Sequence, residues 1–269
     1  MVNPHATPAA RTTVSSLINL QRYSLADTHV TRQAAQQMQT EGVCVLPDFL
    51  TRAALQTMVT ECEQLAPQAH RSAPRRNPYL TQTATAGSGS ATTVLYDSLE
   101  VLAYDHFPHT SNLRALYESD DLLQFIARCL NVDTLHRYAD PFGALNVSIM
   151  RDGDVLDWHF DMTDFVVSIA LQSSESGGDF ENAPMIREAG ENAIGALLSG
   201  DRSCVRVEPM TPGTLMLFNG RRSMHRVSPV RGSTPRYMAL LAFDTKPGTD
   251  STNELKLSRY GRLPTAGHT

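Results

Sequence analysis

FGALNVSIMRDGDVLDWHFDMTDFVVSIALQ, residues 142–172, is where the hydrophobic pattern changes from a helical period to a period of two. Leu145, Val147 and Ile149 alternate with Asn146, Ser148 and Met150. A pleated strand places those two sets on opposite faces. Asp152-Gly153-Asp154 reads as a turn, residues 158–161 as extended chain and residues 165–172 as a second strand. Downstream, Gly177-Gly178 turns the chain, and residues 179–181 resume it. Residues 184–203 read as a partly helical insertion. Four short strand signals follow: Val205 with Val207, then residues 215–218, 226–230 and 236–243. Pro212-Gly213 and Asn219-Gly220 are turn dipeptides. Short strands punctuated in this way predict a sandwich or jelly roll.

Upstream the pattern is helical. Residues 28–40 read as a helix ended by Gly42, then residues 43–46 as a strand closed by Pro47. Thr51 is placed to cap a helix with Leu55, Met58, Val59, Cys62 and Leu65 on one face. Residues 67–93 are rich in Pro, Arg, Thr, Ser, Gly and Ala, with a flexible patch at residues 87–90. A long stretch of this kind inside a domain reads as structureless and lid-like. Asp120 or Asp121 is expected to cap the next helix, burying Leu122, Phe125, Ile126, Cys129 and Leu130. The fold class expected is α+β with a mainly β core. Residues 1–269 form a single domain: a loose lead-in, a helical support region over 26–135 carrying the 67–93 segment, a β core over 136–248 and a tail over 249–269.

The composition sets outer bounds. The chain has 269 residues, of which 41% are hydrophobic and 19% charged. That suffices for a full core without disulfides or structural metal, and it excludes disorder as the main state. The longest apolar run, residues 238–243, is far too short to cross a bilayer. A net charge of -5 and a pI near 6.0 argue against nucleic acid as the main partner. Cys44, Cys62, Cys129 and Cys204 form no CxxC and no Cys/His pair, so neither a zinc ribbon nor a redox dithiol is indicated. The first residues lack a secretory apolar core, and a cytoplasmic protein with reduced thiols is expected.

The chemistry concentrates in His159-Phe160-Asp161. Residues two apart on a strand share a face, so His159 and Asp161 converge while Phe160 packs behind. His225 stands near the start of a later strand. Two imidazoles and one carboxylate on one face of a metal leave the opposite face open, the arrangement of non-haem Fe(II) oxygenases. HxD alone is a weak pattern, read more often as a surface His-x-Asp pair. Arg236 shifts the balance. It alternates with Met238 and Leu240 on the last strand, and its planar fork suits the distal carboxylate of a 2-oxoacid held on a metal.

HFD at 159–161, GGDFE at 177–181 and PGTLMLFNGRRSMHRVSPVRG at 212–232 resemble the Fe(II)/2-oxoglutarate-dependent dioxygenases. More narrowly, residues 137–248 look like the family of radical halogenases and hydroxylases of free amino acids such as lysine, and the likeness covers roughly residues 113–248. The resemblance implies a double-stranded β-helix (a cupin-like jelly roll). It also implies Fe(II) on His159, Asp161 and His225, 2-oxoglutarate on Arg236, and O2 as co-substrate, with succinate and CO2 as products. Halogenases of the family carry glycine or alanine where this chain has Asp161, and chloride takes that vacancy. The carboxylate here therefore implies hydroxylation. Many members place Ser or Thr two residues after the arginine. Here that residue is Met238, so Thr214 or Ser168 is expected to help hold the co-substrate, and Asn146 is a further candidate for it.

Candidate substrate contacts are Asp157 and Asp164 near the iron strand, Asp105 or Glu118 for an amine, and Arg75 or Arg76 for a carboxylate. Taken singly, most of these read more readily as solvated charges. The expected activity is hydroxylation of an unactivated C–H of a small polar substrate, a free L-amino acid. The alternatives are desaturation or cyclisation by the same cofactors, action on a peptide side chain, and a non-catalytic jelly-roll metal sensor. Neither nucleic acid nor membrane is expected as a partner.

Overall fold

The computed structural model describes residues 13–73, 75–76, 78–79 and 95–265. Helices form where a capping side chain precedes an apolar stripe. α1 (Thr28–Glu41) starts at Asp27, whose carboxylate accepts from the His29 N–H, and stops at Gly42 with φ of 72°. α2 (Arg52–Leu65) is capped by Thr51, whose hydroxyl accepts from the Ala54 N–H. α3 (Asn112–Tyr117) and α4 (Asp120–Leu130) follow. The α4 cap is Ser119, which accepts from the Leu122 N–H, and not Asp120 or Asp121. Those two carboxylates occupy the first turn, where they meet the positive end of the helix dipole. Leu122, Phe125, Ile126 and Cys129 are buried as expected, while Leu130 is half-buried.

Eleven strands build two facing antiparallel sheets. They are β1 (Val43–Leu46), β2 (His70–Ser72), β3 (Leu99–Leu102), β4 (Leu145–Met150), β5 (Leu156–His159), β6 (Val166–Gln172), β7 (Phe180–Ala183), β8 (Arg206–Glu208), β9 (Leu215–Phe218), β10 (Met224–Val227) and β11 (Arg236–Leu241). The larger sheet runs β1-β9-β6-β11-β4-β3-β2 and the smaller β8-β7-β10-β5. This is the double-stranded β-helix. Two two-stranded ribbons accompany it, Arg75–Arg76 with Leu95–Tyr96 and His136–Arg137 with Phe243–Asp244. The insertion carries Ile186–Ala189 and α5 (Glu191–Leu198).

The two faces of the larger sheet differ as the alternation requires. Val147, Ile149, Val167, Ile169, Leu215, Leu217, Ala239 and Leu241 pack under the helices in the main core. Met150, Met216 and Phe218 turn inward and meet Phe180 and Val227 of the smaller sheet. Among these inward side chains lie buried polar ones: Asn146, Ser148, Ser168, Thr214 and Arg236. Transfer of such groups from water is costly unless they find partners, so a polar interior marks a place built for a ligand.

Two differences from the sequence reading concern boundaries. The region before residue 136 is not purely a helical support, because besides the expected strand β1 it lends β2 and β3 to the larger sheet. Backbone ladders, not side-chain patterns, recruit such short strands. Residues 249–269 are more than a tail: they include α6 (Asn253–Tyr260), capped by Thr252 and closed by Gly261. Buried Lys256 pairs with Asp250 at 2.6 Å, the Ser72 hydroxyl donates to the Ser258 carbonyl at 2.8 Å, and Tyr260 packs on Phe142. Buried Asp154 ties the two halves together, accepting from Arg71, the Ser98 hydroxyl and the Arg151 N–H. Cys44, Cys62 and Cys129 are buried free thiols and Cys204 is an exposed one. Among the described residues no helix is long and apolar enough to cross a membrane.

Candidate metal centre

β5 and β10 lie side by side, and their register sets His159 directly opposite His225. The two imidazole centroids are 4.3 Å apart. Asp161 follows β5, with its backbone N–H donating to the Gly220 carbonyl at 3.0 Å. Its carboxylate oxygens come within 3.7 Å of His159 Nε2 and 3.2 Å of His225 Nε2. One donor atom from each of the three residues lies within 4.8 Å of the others.

The hydrogen bonds assign the tautomers. His159 Nδ1 faces the Asp157 carbonyl at 2.7 Å and His225 Nδ1 faces the Ser223 carbonyl at 3.1 Å. A carbonyl oxygen only accepts, so each Nδ1 carries the proton. The Nε2 lone pairs of both rings are thereby left to converge with an anionic carboxylate. Burial pushes His159 down to about 3, with His225 beside it acting in the same direction. For Asp161 burial pushes upward, but the facing His225, together with His159 and Arg259, outweighs it and holds the carboxyl down at about 2. With each Nδ1 proton committed to a backbone carbonyl, two Nε2 lone pairs and a carboxylate converge, the donor set a divalent transition metal takes.

Neighbours fix this geometry. Phe160 points away from the donors, stacked on Tyr79 at 5.6 Å with the Arg187 guanidinium 4.1 Å from its centroid. Trp158, also buried, packs in the same cluster. Gly220 closes the site from below. A Cβ there would stand 2.6 Å from Asp161 Oδ2 and 2.9 Å from its Cβ, so only glycine lets the carboxylate sit where it does. Sequence reasoning took Gly220 as a turn residue only.

Arg236 is 5% exposed and faces the interior of the barrel. Among the described residues its one polar contact within hydrogen-bond reach is Met150 Sδ at 4.0 Å. Burial pushes its guanidinium down to about 10, and Asp179 partly offsets this. Asn146 Oδ1 and Ser168 Oγ are likewise buried, with no hydrogen-bond partner among the described residues. The Thr214 hydroxyl is bonded to that of Thr211 at 3.0 Å. A buried guanidinium with an empty fork, on the same inner face as the open acceptor of Asn146 and hydroxyl of Ser168 four residues along the sheet, fits the two ends of a 2-oxoacid.

A cavity of about 730 Å³ opens from Asp161 and Asn146 outward, lined by Tyr138, Phe165, Leu240, Leu255 and Arg259 among others. Of the expected substrate residues, Asp105 is consumed in a two-pronged ion pair with Arg262 at 2.7 Å. Glu118 is held by Tyr104 and by Arg114 at 2.8 Å. Neither lines the cavity. Asp164 is an exposed rim group paired with Arg221 at 2.6 Å. Asp157 serves the site through its backbone carbonyl on His159. Arg75 and Arg76 form one strand of a ribbon. The lid-like segment is partly ordered rather than structureless, since β2 belongs to the larger sheet and the Pro78 carbonyl accepts from the Phe160 N–H at 2.9 Å. The flexible patch at residues 87–90 lies outside the described residues.

Residues 26–258 match the family model described as "HalD: Halogenase D". No curated protein matches the chain. Among solved structures the chain is similar to a 2OG-Fe(II) oxygenase family oxidoreductase from Burkholderia pseudomallei, at 14% identity and a TM-score of 0.53, covering 81% of this chain and 92% of that one. A prolyl hydroxylase from Trichoplax adhaerens, solved with a hypoxia inducible factor peptide, is 16% identical with a TM-score of 0.56 over 84% of this chain and 93% of that one. The non-heme alpha ketoglutarate dependent epimerase SnoN from nogalamycin biosynthesis is 14% identical with a TM-score of 0.58, over 90% and 93%.

Proposed function

The chain belongs to the Halogenase D family, and from that premise we propose that it is a non-haem iron, 2-oxoglutarate-dependent dioxygenase hydroxylating a free L-amino acid. The observation that carries this reading is the pairing of a triad of two buried histidines and a half-buried carboxylate with a buried guanidinium free of an ion pair in the same barrel. His159, Asp161 and His225 would hold Fe(II) through two imidazoles and a carboxylate. Arg236 would bind the distal carboxylate of 2-oxoglutarate with Thr214 near it, and Asn146 would bond the co-substrate farther along the sheet. When bound, iron, 2-oxoglutarate and O2 supply an oxidant able to attack an unactivated C–H bond, with succinate and CO2 released.

The protein's own part is position and dryness. The Asp157 and Ser223 carbonyls lock the imidazole tautomers, and Gly220 sets the carboxylate. Phe160 and Trp158 keep water from the back of the site. Asp161 favours hydroxylation over halogenation, because its carboxylate takes the place where a glycine or alanine would leave room for a halide. A sensor would have no use for a buried empty guanidinium, which argues for catalysis.

Protein loaded with Fe(II) and 2-oxoglutarate is expected to form succinate, with stimulation by a free amino acid that gains one oxygen by mass spectrometry. Asp161→Ala is expected to abolish that product. Full product formation by this variant without added halide would sink the ligand assignment.

A further inference from the structure

The wall of the cavity beside Asp161 carries a cation, Arg259, whose charge acts on the Asp161 carboxylate without touching it. Arg259 sits in the last turn of α6, half-buried, on the cavity wall. Among the described residues its guanidinium has neither a hydrogen bond nor an ion pair. The other charges at the cavity are accounted for. Asp250 is bound by Lys256 at 2.6 Å, and Glu254 is an exposed first-turn residue of α6 held down by the backbone at its cap. Asp161 belongs to the metal triad. Asp164 at the rim is matched by Arg221. The Tyr138 hydroxyl, kept protonated by burial, lines the same wall without a hydrogen-bond partner among the described residues. The rest of the wall is largely apolar, from Phe165, Val166, Leu240 and Leu255.

We propose that Arg259, with the Tyr138 hydroxyl, anchors a carboxylate of the substrate, and that the substrate has an apolar body instead of a basic side chain. The cavity offers an anion one free guanidinium and one free phenol. Among the residues that line it, it offers a second ammonium group no unpaired buried carboxylate apart from the metal ligand; the open oxygen of buried Asp140 lies behind Gly143 and not on the wall. A lysine-like substrate would bury its side-chain ammonium without a partner, which is costly. An aliphatic or aromatic body would meet Phe165, Leu240 and Leu255 instead. A cation at a helix C-terminus is also an ordinary stabiliser of the helix. That role alone does not require the side chain to line a cavity shared with the Asp161 carboxylate. The inference deepens the oxygenase reading and rests on it.

The test uses the full chain loaded with Mn(II) and 2-oxoglutarate, titrated calorimetrically with a panel of small carboxylic acids. The panel comprises the apolar and basic L-amino acids, their 2-hydroxy analogues and the carboxamide of each. Apolar acids are expected to bind, and their amides to bind at least ~10-fold more weakly, as loss of a charge-assisted bond predicts. Arg259→Gln is expected to weaken the best acid ~10- to 100-fold while leaving 2-oxoglutarate affinity unchanged, and Arg259→Lys to restore part of the loss. Equal binding of acid and amide, an unchanged Arg259→Gln, tightest binding by a basic amino acid, or binding by no acid in the panel would each overturn the proposal. Failure of 2-oxoglutarate itself to bind wild-type protein would instead overturn the oxygenase reading.

Discussion

Replacing Arg236 by methionine should do two opposite things at once. The guanidinium is 5% exposed and meets only a thioether sulfur at 4.0 Å. Burial takes it from 12.5 down to about 10. Holding it charged in the ligand-free protein therefore costs roughly 3 kcal/mol. Methionine has similar length and no charge, so Arg236→Met should stabilise the ligand-free fold by about 1–3 kcal/mol once imperfect packing is allowed for. For a domain of this size that raises Tm by roughly 2–10 °C. The same change removes a buried charge-assisted clamp, worth about 2–5 kcal/mol to the bound co-substrate. Affinity for 2-oxoglutarate should fall by roughly 30-fold to several thousand-fold. Differential scanning calorimetry of metal-free protein reads the first effect, and calorimetric titration of Mn(II)-loaded protein with 2-oxoglutarate reads the second. Arg231, which is exposed, provides the control: Arg231→Ala should change neither. A variant at position 236 that is destabilised and binds 2-oxoglutarate normally would show that Arg236 is a structural partner of Asp179.

Other outcomes follow from the same packing. Gly220→Ala puts a Cβ 2.6 Å from Asp161 Oδ2, so metal affinity should drop about tenfold or more, with calorimetric unfolding of the metal-free protein changed far less. His159 is held down at about 3 in the folded protein against 6.5 when unfolded, so the unfolded chain binds the extra proton between those values. Stability of the metal-free protein is then full above pH 6.5 and is lost as pH falls toward 3, by about 2 kcal/mol at pH 5. Denaturant midpoints that stay flat from pH 7 to 5 would contradict the neutral buried imidazole. Asp154→Ala should cost about 2–4 kcal/mol, read as a lower urea midpoint, because it strands the Ser98 hydroxyl and the Arg151 N–H and breaks the tie to Arg71.

Much of the site was legible because strand periodicity is local. His159 and Asp161 share a face by their spacing alone, and the alternation around Leu145 and Arg236 announced which residues line the interior. The polar candidates outside the barrel were not legible in this way. Asp105 and Glu118 looked available, yet Arg262 lies 157 residues from Asp105 in sequence, and no local pattern joins them. Arg259 was missed for the same reason. Its helix was taken for a tail, and its importance comes from the cavity it faces.

By itself, then, the sequence determined the β architecture and singled out the three candidate metal donors that the fold brings together, since these depend on side-chain period and residue type. The tertiary structure alone decided the register that sets His225 opposite His159, the close approach that reserves position 220 for glycine, and the partners that consume one set of charges while leaving Arg236 and Arg259 open. Those properties depend on what stands across the fold from each residue, and distance along the chain carries no information about that.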